Sequence, residues 1–274
     1  MSAVKEEINN VIKWTADYVG RTGANGVVVG LSGGIDSCMS AALAVQALGA
    51  KNVLGVMMPC DSNSKDMEDA QLVADWLGIY AIKINLGYPF DELERRLEED
   101  GNLGAGNGLK QMTIANIKAR LRMTTLYAIA NQRNMLVCGT TNKSEAMVGY
   151  YTKYGDGGVD IEPLMDYYKT EVYEMAAELN VPQQIIDREP SAGLWDGQTD
   201  ADELGMDYDR LDMILEAING ETNEALDPQY ISEKDIINIE KRINANLHKG
   251  QPAPFYNRNP IGCGGGCGMD GCQH

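Results

Sequence analysis

Gly30-Leu31-Ser32-Gly33-Gly34-Ile35-Asp36-Ser37 follows the apolar run Val27-Val28-Val29 and leads into the alanine-rich stretch 40–48. A strand, a glycine turn and a helix N-terminus in that order make a phosphate site. Gly33 and Gly34 tolerate positive φ and close backbone approach, so successive N–H groups converge where the helix dipole already favours an anion. Ser32 and Ser37 add hydroxyl donors, and Asp36 can share a Mg2+ with the phosphates. The loop lacks the lysine of G-x-x-x-x-G-K-[ST] and the spacing of G-x-G-x-x-G, so positive charge has to come from elsewhere in the chain. Taken alone, these residues also read as an ordinary turn between a strand and a helix.

The flanking sequence gives the turn a fold. Short apolar runs at 26–31, 53–58, 80–84 and 135–138, each bounded by turn residues, predict buried parallel strands. Helical stretches at 37–48, 64–77, 90–99 and 107–131 alternate with them. Val4, Ile8, Val11, Ile12, Ala16 and Val19 place an amphipathic helix before the first strand, ending near Gly20. This order predicts an α/β fold, a doubly wound parallel sheet flanked by helices. Its ligand site lies at the carboxyl ends of the strands, where Ser32, Met58-Pro59 and Gly139-Thr140 meet. Trp14 and Trp76 fall on helical faces and read as core. Beyond Thr140 the period fades: 141–163 is rich in Gly, Tyr, Lys and Asp, and a segment of that length is usually functional. A helix at 169–179, a polar acidic stretch at 187–207 and helices near 208–218 and 232–247 make a helical C-terminal part.

The 274 residues suit one large α/β domain. With 40 acidic against 23 basic side chains the net charge is −17, which repels nucleic acid and anionic membranes. A polyanionic substrate then needs a locally positive pocket plus metal. No charged segment precedes an apolar one at the N-terminus and no apolar run approaches 18 residues, so the expected location is the cytoplasm, with neither nucleic acid nor membrane as a partner. Cys38, Cys60 and Cys138 read as buried thiols, whereas Cys263, Cys267 and Cys272 cluster in a glycine-rich tail.

Gly139-Thr140-Thr141-Asn142-Lys143-Ser144-Glu145 leaves the fourth strand, and Glu145 reads either as a solvated loop acid or as a second Mg2+ ligand opposite Asp36. The S-G-G-x-D-S loop resembles the pyrophosphate loop of the ATP pyrophosphatases, of adenine nucleotide alpha hydrolase-like fold, which cleave ATP to AMP and pyrophosphate while activating a carbonyl or carboxylate oxygen. The run 149–160, G-Y-x-T-K-Y-G-D-G-G-x-D, makes the resemblance specific. With Pro163-Leu164, Lys169, Pro190-Ser191-Ala192-Gly193-Leu194-Trp195-Asp196-Gly197-Gln198-Thr199-Asp200, Asp202-Glu203-Leu204-Gly205 and His248-Lys249, it is similar to the NAD synthetases in order and spacing across residues 3–258.

That resemblance implies a ligase that amidates deamido-NAD+ with ammonia to give NAD+, AMP and pyrophosphate through an acyl adenylate. It puts Gly30, Leu31, Ser32, Gly33, Gly34, Ile35, Asp36, Ser37, Thr140, Lys169 and Ser191 around ATP, and Asp36 and Glu145 on Mg2+. Arg120, Lys153, Asp160, His248 and Lys249 would bind deamido-NAD+, with Asp156 beside the incoming ammonia. Asp36, Asp156 and Lys169 would act in the chemistry. In such enzymes the dinucleotide site lies at a homodimer interface. Glutamine-using relatives carry a large amidase domain for which 274 residues leave no room, so free ammonia is the expected nitrogen source. Both reactants are anions, so Mg2+, Lys169 and the loop amides would screen them and stabilise charge developing on departing pyrophosphate. Asp156 would bind ammonium and accept its proton.

Two features depart from the pattern. Gly250-Gln251-Pro252 follows Lys249, where arginines are common in the family. Residues 260–274 form a Cys/Gly-rich tail distinct from an enzyme domain at 1–259. Cys263, Cys267, Cys272 and His274 could ligate Zn2+ or another metal tetrahedrally, but the spacing matches no zinc-finger signature, and a flexible redox-sensitive tail is the alternative. Two rival functions remain: a different ATP pyrophosphatase such as a tRNA-thiolating enzyme, with tRNA disfavoured by the charge of −17, and a non-catalytic nucleotide- or metal-binding protein, disfavoured by intact candidates at every polar site position.

Overall fold

A computed structural model describes residues 2–61, 63–99, 108–193, 195, 197–222 and 227–256. Cys263, Cys267, Cys272 and His274 lie outside the described residues, as do Leu194, Asp196 and Asn107.

Strands β1 (Val27–Gly30), β2 (Val53–Met57), β3 (Tyr80–Lys83) and β4 (Leu136–Cys138) form one parallel sheet in the order β3-β2-β1-β4. Val27, Val28 and Val29 are all fully buried, the mark of a strand covered on both faces. Their alternation divides the core. Val27 and Val29 face a cluster containing α1 (Ala3–Thr22), α2 (Ile35–Leu48) and α3 (Ser64–Leu77), while Val28 faces α4 (Gly87–Glu99) and α5 (Gln111–Arg133). β1 pairs with β2 on one side and β4 on the other, so the winding direction reverses there and a crevice opens above the β1–β4 gap. β3 differs from expectation: it is the sheet edge and is not buried, with Tyr80 66% exposed.

Element ends also differ from the sequence reading. α1 runs through Gly20 to Thr22, where Gly23 in the left-handed region ends it. α2 begins at Ile35, which puts Asp36 and Ser37 in its first turn with Gly34 as N-cap. The stretch 141–163, where no period was legible, contains α6 (Lys143–Val148), too short for a period but closed by an Asn142–Glu145 capping box. Helices α7 (Lys169–Glu178), α8 (Gln183–Ile186), α9 (Asp200–Leu204), α10 (Tyr208–Asn219) and α11 (Glu233–Gly250) follow. α9 lies inside the acidic stretch, and α11 runs past residue 247 to carry His248 and Lys249 in its last turn. Val172, Met175 and Ala176 seat α7 on the main core. A second cluster, built on Val148, Tyr208, Leu211, Leu215 and Ile239, joins α6, α10 and α11.

Cys38, Cys60 and Cys138 are buried, as the sequence predicts, and burial pushes the Cys38 thiol up to about 12. Trp76 packs against the core, but Trp14 is 42% exposed and lies against Tyr18, its ring 5.8 Å away. Among the described residues no helix is long and apolar enough to cross a membrane.

Candidate active site

The β1 ladder ends with the Leu31 N–H donating to Val56 O at 2.9 Å, and the chain then turns into α2. Gly33 sits at φ +81°, and a Cβ there would come within 2.7 Å of Asp66 O, so only glycine fits between this turn and α3. Serine hydroxyls close the turn: Gly34 N–H donates to Ser32 Oγ at 3.2 Å, Ser32 N–H to Ser37 Oγ at 3.3 Å, and Ser37 Oγ–H to Gly34 O at 3.0 Å. The first-turn amides of α2, which a helix cannot satisfy internally, open at the crevice.

Three elements bring charge to this point. Asp36 on α2, Glu145 on α6 and Lys169 at the start of α7 line the same cavity, of about 1100 Å³. The Lys169 ammonium pairs with Asp36 and stands 4.0 Å from Glu145 Oε1, and Asn142 Nδ2 donates to Asp36 Oδ1 at 3.0 Å. Burial alone would depress the Lys169 pKa, but the two carboxylates outweigh it and hold the ammonium above its ordinary value. Burial, then repulsion from Asp36, pushes Glu145 well above the usual carboxylate range, with Lys169 only partly offsetting them. Glu145 is therefore a carboxyl that gains from a further cation. Its Oε2 also accepts the Asn142 N–H at 3.2 Å, so helix capping fixes its direction.

The position of Lys169 is set from behind by a buried carboxylate on α10. Asp212 accepts the Ser144 hydroxyl at 2.5 Å and the Thr170 N–H at 2.9 Å, and Ser144 Oγ accepts the Lys169 N–H at 2.9 Å. On the far side of Lys169, Tyr208 donates to Asp200 at 2.8 Å, and the single proton of the Tyr150 hydroxyl is shared between Asp200 and Glu203, at 3.0 and 2.6 Å. These bonds anchor α9, and with it the segment carrying Ser191, whose hydroxyl donates to Gln198 O at 2.7 Å. Arg188 ties the same segment to α3 through Asp66 and Asp69 at 2.6 and 2.9 Å.

The other end of the cavity lies between α5, the 149–158 loop and α11. Thr152 N–H donates to Asp156 Oδ1 at 2.9 Å. The Asp156 side chain is reached by solvent through the cavity but surrounded by protein. Burial raises its pKa, and the Thr152 amide, Arg122 and Lys249 moderate the rise. Arg120 donates to Lys153 O at 3.2 Å, Lys153 to Gln251 O at 2.7 Å, and Lys249 to Gly149 O at 2.7 Å and Tyr151 O at 3.0 Å. These cations stitch the loop to α5 and α11.

Thus one cavity gathers Gly30, Leu31, Ser32, Gly34, Ile35, Asp36, Ser37, Thr140, Glu145, Asp156, Lys169 and Ser191, and also Arg120, Lys153, His248 and Lys249. Gly33 lies behind the turn and outside its wall. Asp160 is also outside: its carboxylate accepts the Val137 N–H at 2.8 Å and the Tyr127 hydroxyl at 2.9 Å, completing the free edge of β4. Burial pushes Glu162 up to about 8; it accepts the Thr141 N–H at 3.2 Å and fills the space a Cβ on Gly139 would need. Sequence reasoning missed Arg122, Asp200 and Arg242 in the cavity wall. Arg122 is two residues from Arg120 on α5, and residues two apart on a helix do not share a face, yet both line the cavity.

Residues 7–253 match the family model described as NAD synthase. An NH(3)-dependent NAD(+) synthetase from Methanosarcina mazei is 44% identical over 250 residues, covering 90% of this chain and 95% of the relative. Among solved structures, the NMN synthetase from Francisella tularensis superposes with a TM-score of 0.82 at 34% identity, covering 94% of this chain and 100% of that one. The NH3-dependent NAD synthetase from Campylobacter jejuni, solved with a nitrate ion, gives 0.77 at 27% identity, with 94% and 100% covered.

Proposed function

The chain belongs to the NAD synthase family, and from that premise we propose that it catalyses the ATP-dependent amidation of deamido-NAD+ by ammonia, releasing NAD+, AMP and pyrophosphate. The observation that carries this reading is the convergence of Asp36, Glu145 and Lys169 beside the serine-glycine turn, in a cavity that also holds Asp156 and a cationic rim. The turn amides and the serine hydroxyls receive the phosphates of ATP. Lys169, held charged by its two acids, stabilises negative charge as the α–β bond opens. The substrate carboxylate attacks the α-phosphorus, pyrophosphate leaves with the bond's electron pair, and an acyl adenylate remains. Ammonia then attacks the acyl carbon, AMP departs with the C–O electron pair, and Asp156 takes the proton that the new nitrogen sheds. Arg120, Lys153, His248 and Lys249 bind the dinucleotide; Thr140 and Ser191 contact ATP.

The donor set fits Mg2+: two carboxylates from separate elements reach one cavity, and Mg2+ takes one or two carboxylates with phosphate oxygens and water. Asp36 and Glu145 would hold it, and when bound it supplies charge neutralisation on the triphosphate. We further assign residues 1–259 to the enzyme domain, a homodimer with the dinucleotide site at its interface, and a cytoplasmic location. Residues 263–274 keep their two readings. Zinc in the full chain that is lost from a version ending at Asn259 favours the metal site, and equal metal content in both removes it.

Incubation with ATP, Mg2+, deamido-NAD+ and ammonium tests the proposal: AMP and NAD+ appear in equal amounts, and absence of both rejects it. A second reading rests on the likeness to the NMN synthetase from Francisella tularensis, and makes the acid form of NMN the acceptor. Comparing kcat/KM for the dinucleotide and mononucleotide acids in the same assay decides between them.

A further inference from the structure

The cations around the cavity differ in what their donors already do. Arg120, Lys153 and Lys249 donate to backbone carbonyls, Arg188 pairs with Asp66 and Asp69, and Lys169 pairs with Asp36. Arg242 donates through one terminal nitrogen to Glu203 O at 2.7 Å. Arg122 stands apart. Its Nε donates to Met58 O at 3.3 Å, and both terminal nitrogens lack a hydrogen bond among the described residues, where no carboxylate lies within ion-pair distance. Donation to Met58 O anchors the guanidinium at the carboxyl end of β2, beside the turn that follows β1, and Asp156 is among the charges that act on it. The group therefore stands between the phosphate turn and the ammonia position, with its fork unspent. Burial lowers its pKa more than Cys60, Asp156 and Asp66 together raise it, and no carboxylate of the described residues pairs with it directly.

We propose that Arg122 is a catalytic residue whose two terminal nitrogens grip the oxyanion formed where the substrate carboxylate joins the α-phosphorus. The assignment rests on the amidation reading above. One carboxylate oxygen forms the new O–P bond and the α–β bridging P–O bond breaks, with its electron pair leaving on pyrophosphate. During that exchange charge leaves the attacking carboxylate and builds on the two non-bridging α-oxygens and on departing pyrophosphate. A planar two-pronged donor matches that pair of oxygens, whereas a lysine presents a single point charge. Because Arg122 makes few other bonds, its interaction is reserved for this anion and strengthens as the transition state forms.

The test is single-turnover pyrophosphate release from ATP, Mg2+ and deamido-NAD+ without ammonium, in wild type, Arg122→Gln and Arg122→Lys. Glutamine slows release by about a hundredfold or more, with the affinity for ATP changed by less than about threefold; lysine recovers part of the rate. Wild-type release from Arg122→Gln, or a defect confined to ATP affinity, overturns the assignment. If circular dichroism shows that Arg122→Gln does not fold, the lysine variant decides: release within about threefold of wild type overturns it, and a loss of about tenfold or more supports it. A wild-type protein that releases no pyrophosphate counts against amidation itself, while variants equal to an active wild type count against Arg122 alone.

Discussion

Replacing Asp212 by alanine tests whether α10 positions Lys169, the lysine proposed to act in the chemistry. Asp212 is 2% exposed and accepts two hydrogen bonds, from the Ser144 hydroxyl at 2.5 Å and the Thr170 N–H at 2.9 Å. Alanine leaves a buried hydroxyl and a part-buried N–H without their acceptor, and a buried unpaired group costs ~1–3 kcal/mol, the part-buried one less. Part of that sum is offset, because burial already pushes the Asp212 pKa up and the variant no longer desolvates a carboxylate. A net loss of about 2–3 kcal/mol results, and at about 2–4 °C per kcal/mol for a chain of this size Tm falls by roughly 5–10 °C. Activity falls further than stability predicts: Ser144 precedes Glu145 and also holds the Lys169 amide, so both charged groups lose their support. Thermal unfolding paired with kcat below the transition measures both effects. Asp212→Asn retains an acceptor for one of the two donors and should fall between. An alanine variant that melts within about 2 °C of wild type with unchanged kcat would show that the Ser144–Asp212–Thr170 clamp positions nothing.

Lys169→Met removes the counter-charge from Asp36 and Glu145 and the donor proposed to meet the phosphates; steady-state assays should show kcat reduced by about a hundredfold or more. In Gly139→Ala the new Cβ falls 2.3 Å from the Glu162 carboxyl, and unfolding experiments should register a loss of ~1–3 kcal/mol as Glu162 is forced off the Thr141 amide. For pH dependence, burial raises the Glu162 pKa from 4.5 to about 8, so the folded state binds the extra proton between those values. Its stability contribution is then fully present below about 4.5 and is lost as pH rises through about 8. The Tm difference between wild type and Glu162→Gln should move against wild type over that window, and a flat difference refutes it.

How much of this was legible beforehand depended on whether the signal was local. The serine-glycine turn and the fully apolar β1 were readable because backbone freedom and burial on both faces are written in consecutive residues. So was the alternation of strands with helices, which fixes a parallel sheet once right-handed crossovers are assumed. Edge position was not: Tyr80-Ala81-Ile82 reads like any buried strand, and only the pairing order leaves Tyr80 in water. α6 escaped notice because six residues cannot display a period, although its capping pair Asn142 and Glu145 was present in the sequence. Trp14 reads as core from its place on a helical face, yet on α1 it stands 42% exposed.

The site divides the same way. Asp36 and Glu145 could be nominated from their places after strand ends, whereas Lys169 and Asp156 are nominated by the resemblance to the NAD synthetases. The sequence by itself determined the alternating parallel sheet and the serine-glycine turn, because residue type, spacing and backbone freedom are properties of neighbours along the chain, and its resemblance to the NAD synthetases supplied the list of charged candidates. Only the tertiary structure decided what each charge does. Asp160 mends a strand edge, Arg120 and Lys153 bind loops to helices, Asp212 supports Lys169 through Ser144 and Thr170, and Arg122 keeps both terminal nitrogens unbonded among the described residues. A charged side chain's partner is set by distance and dielectric across the packed interior, and neither quantity exists until the elements dock.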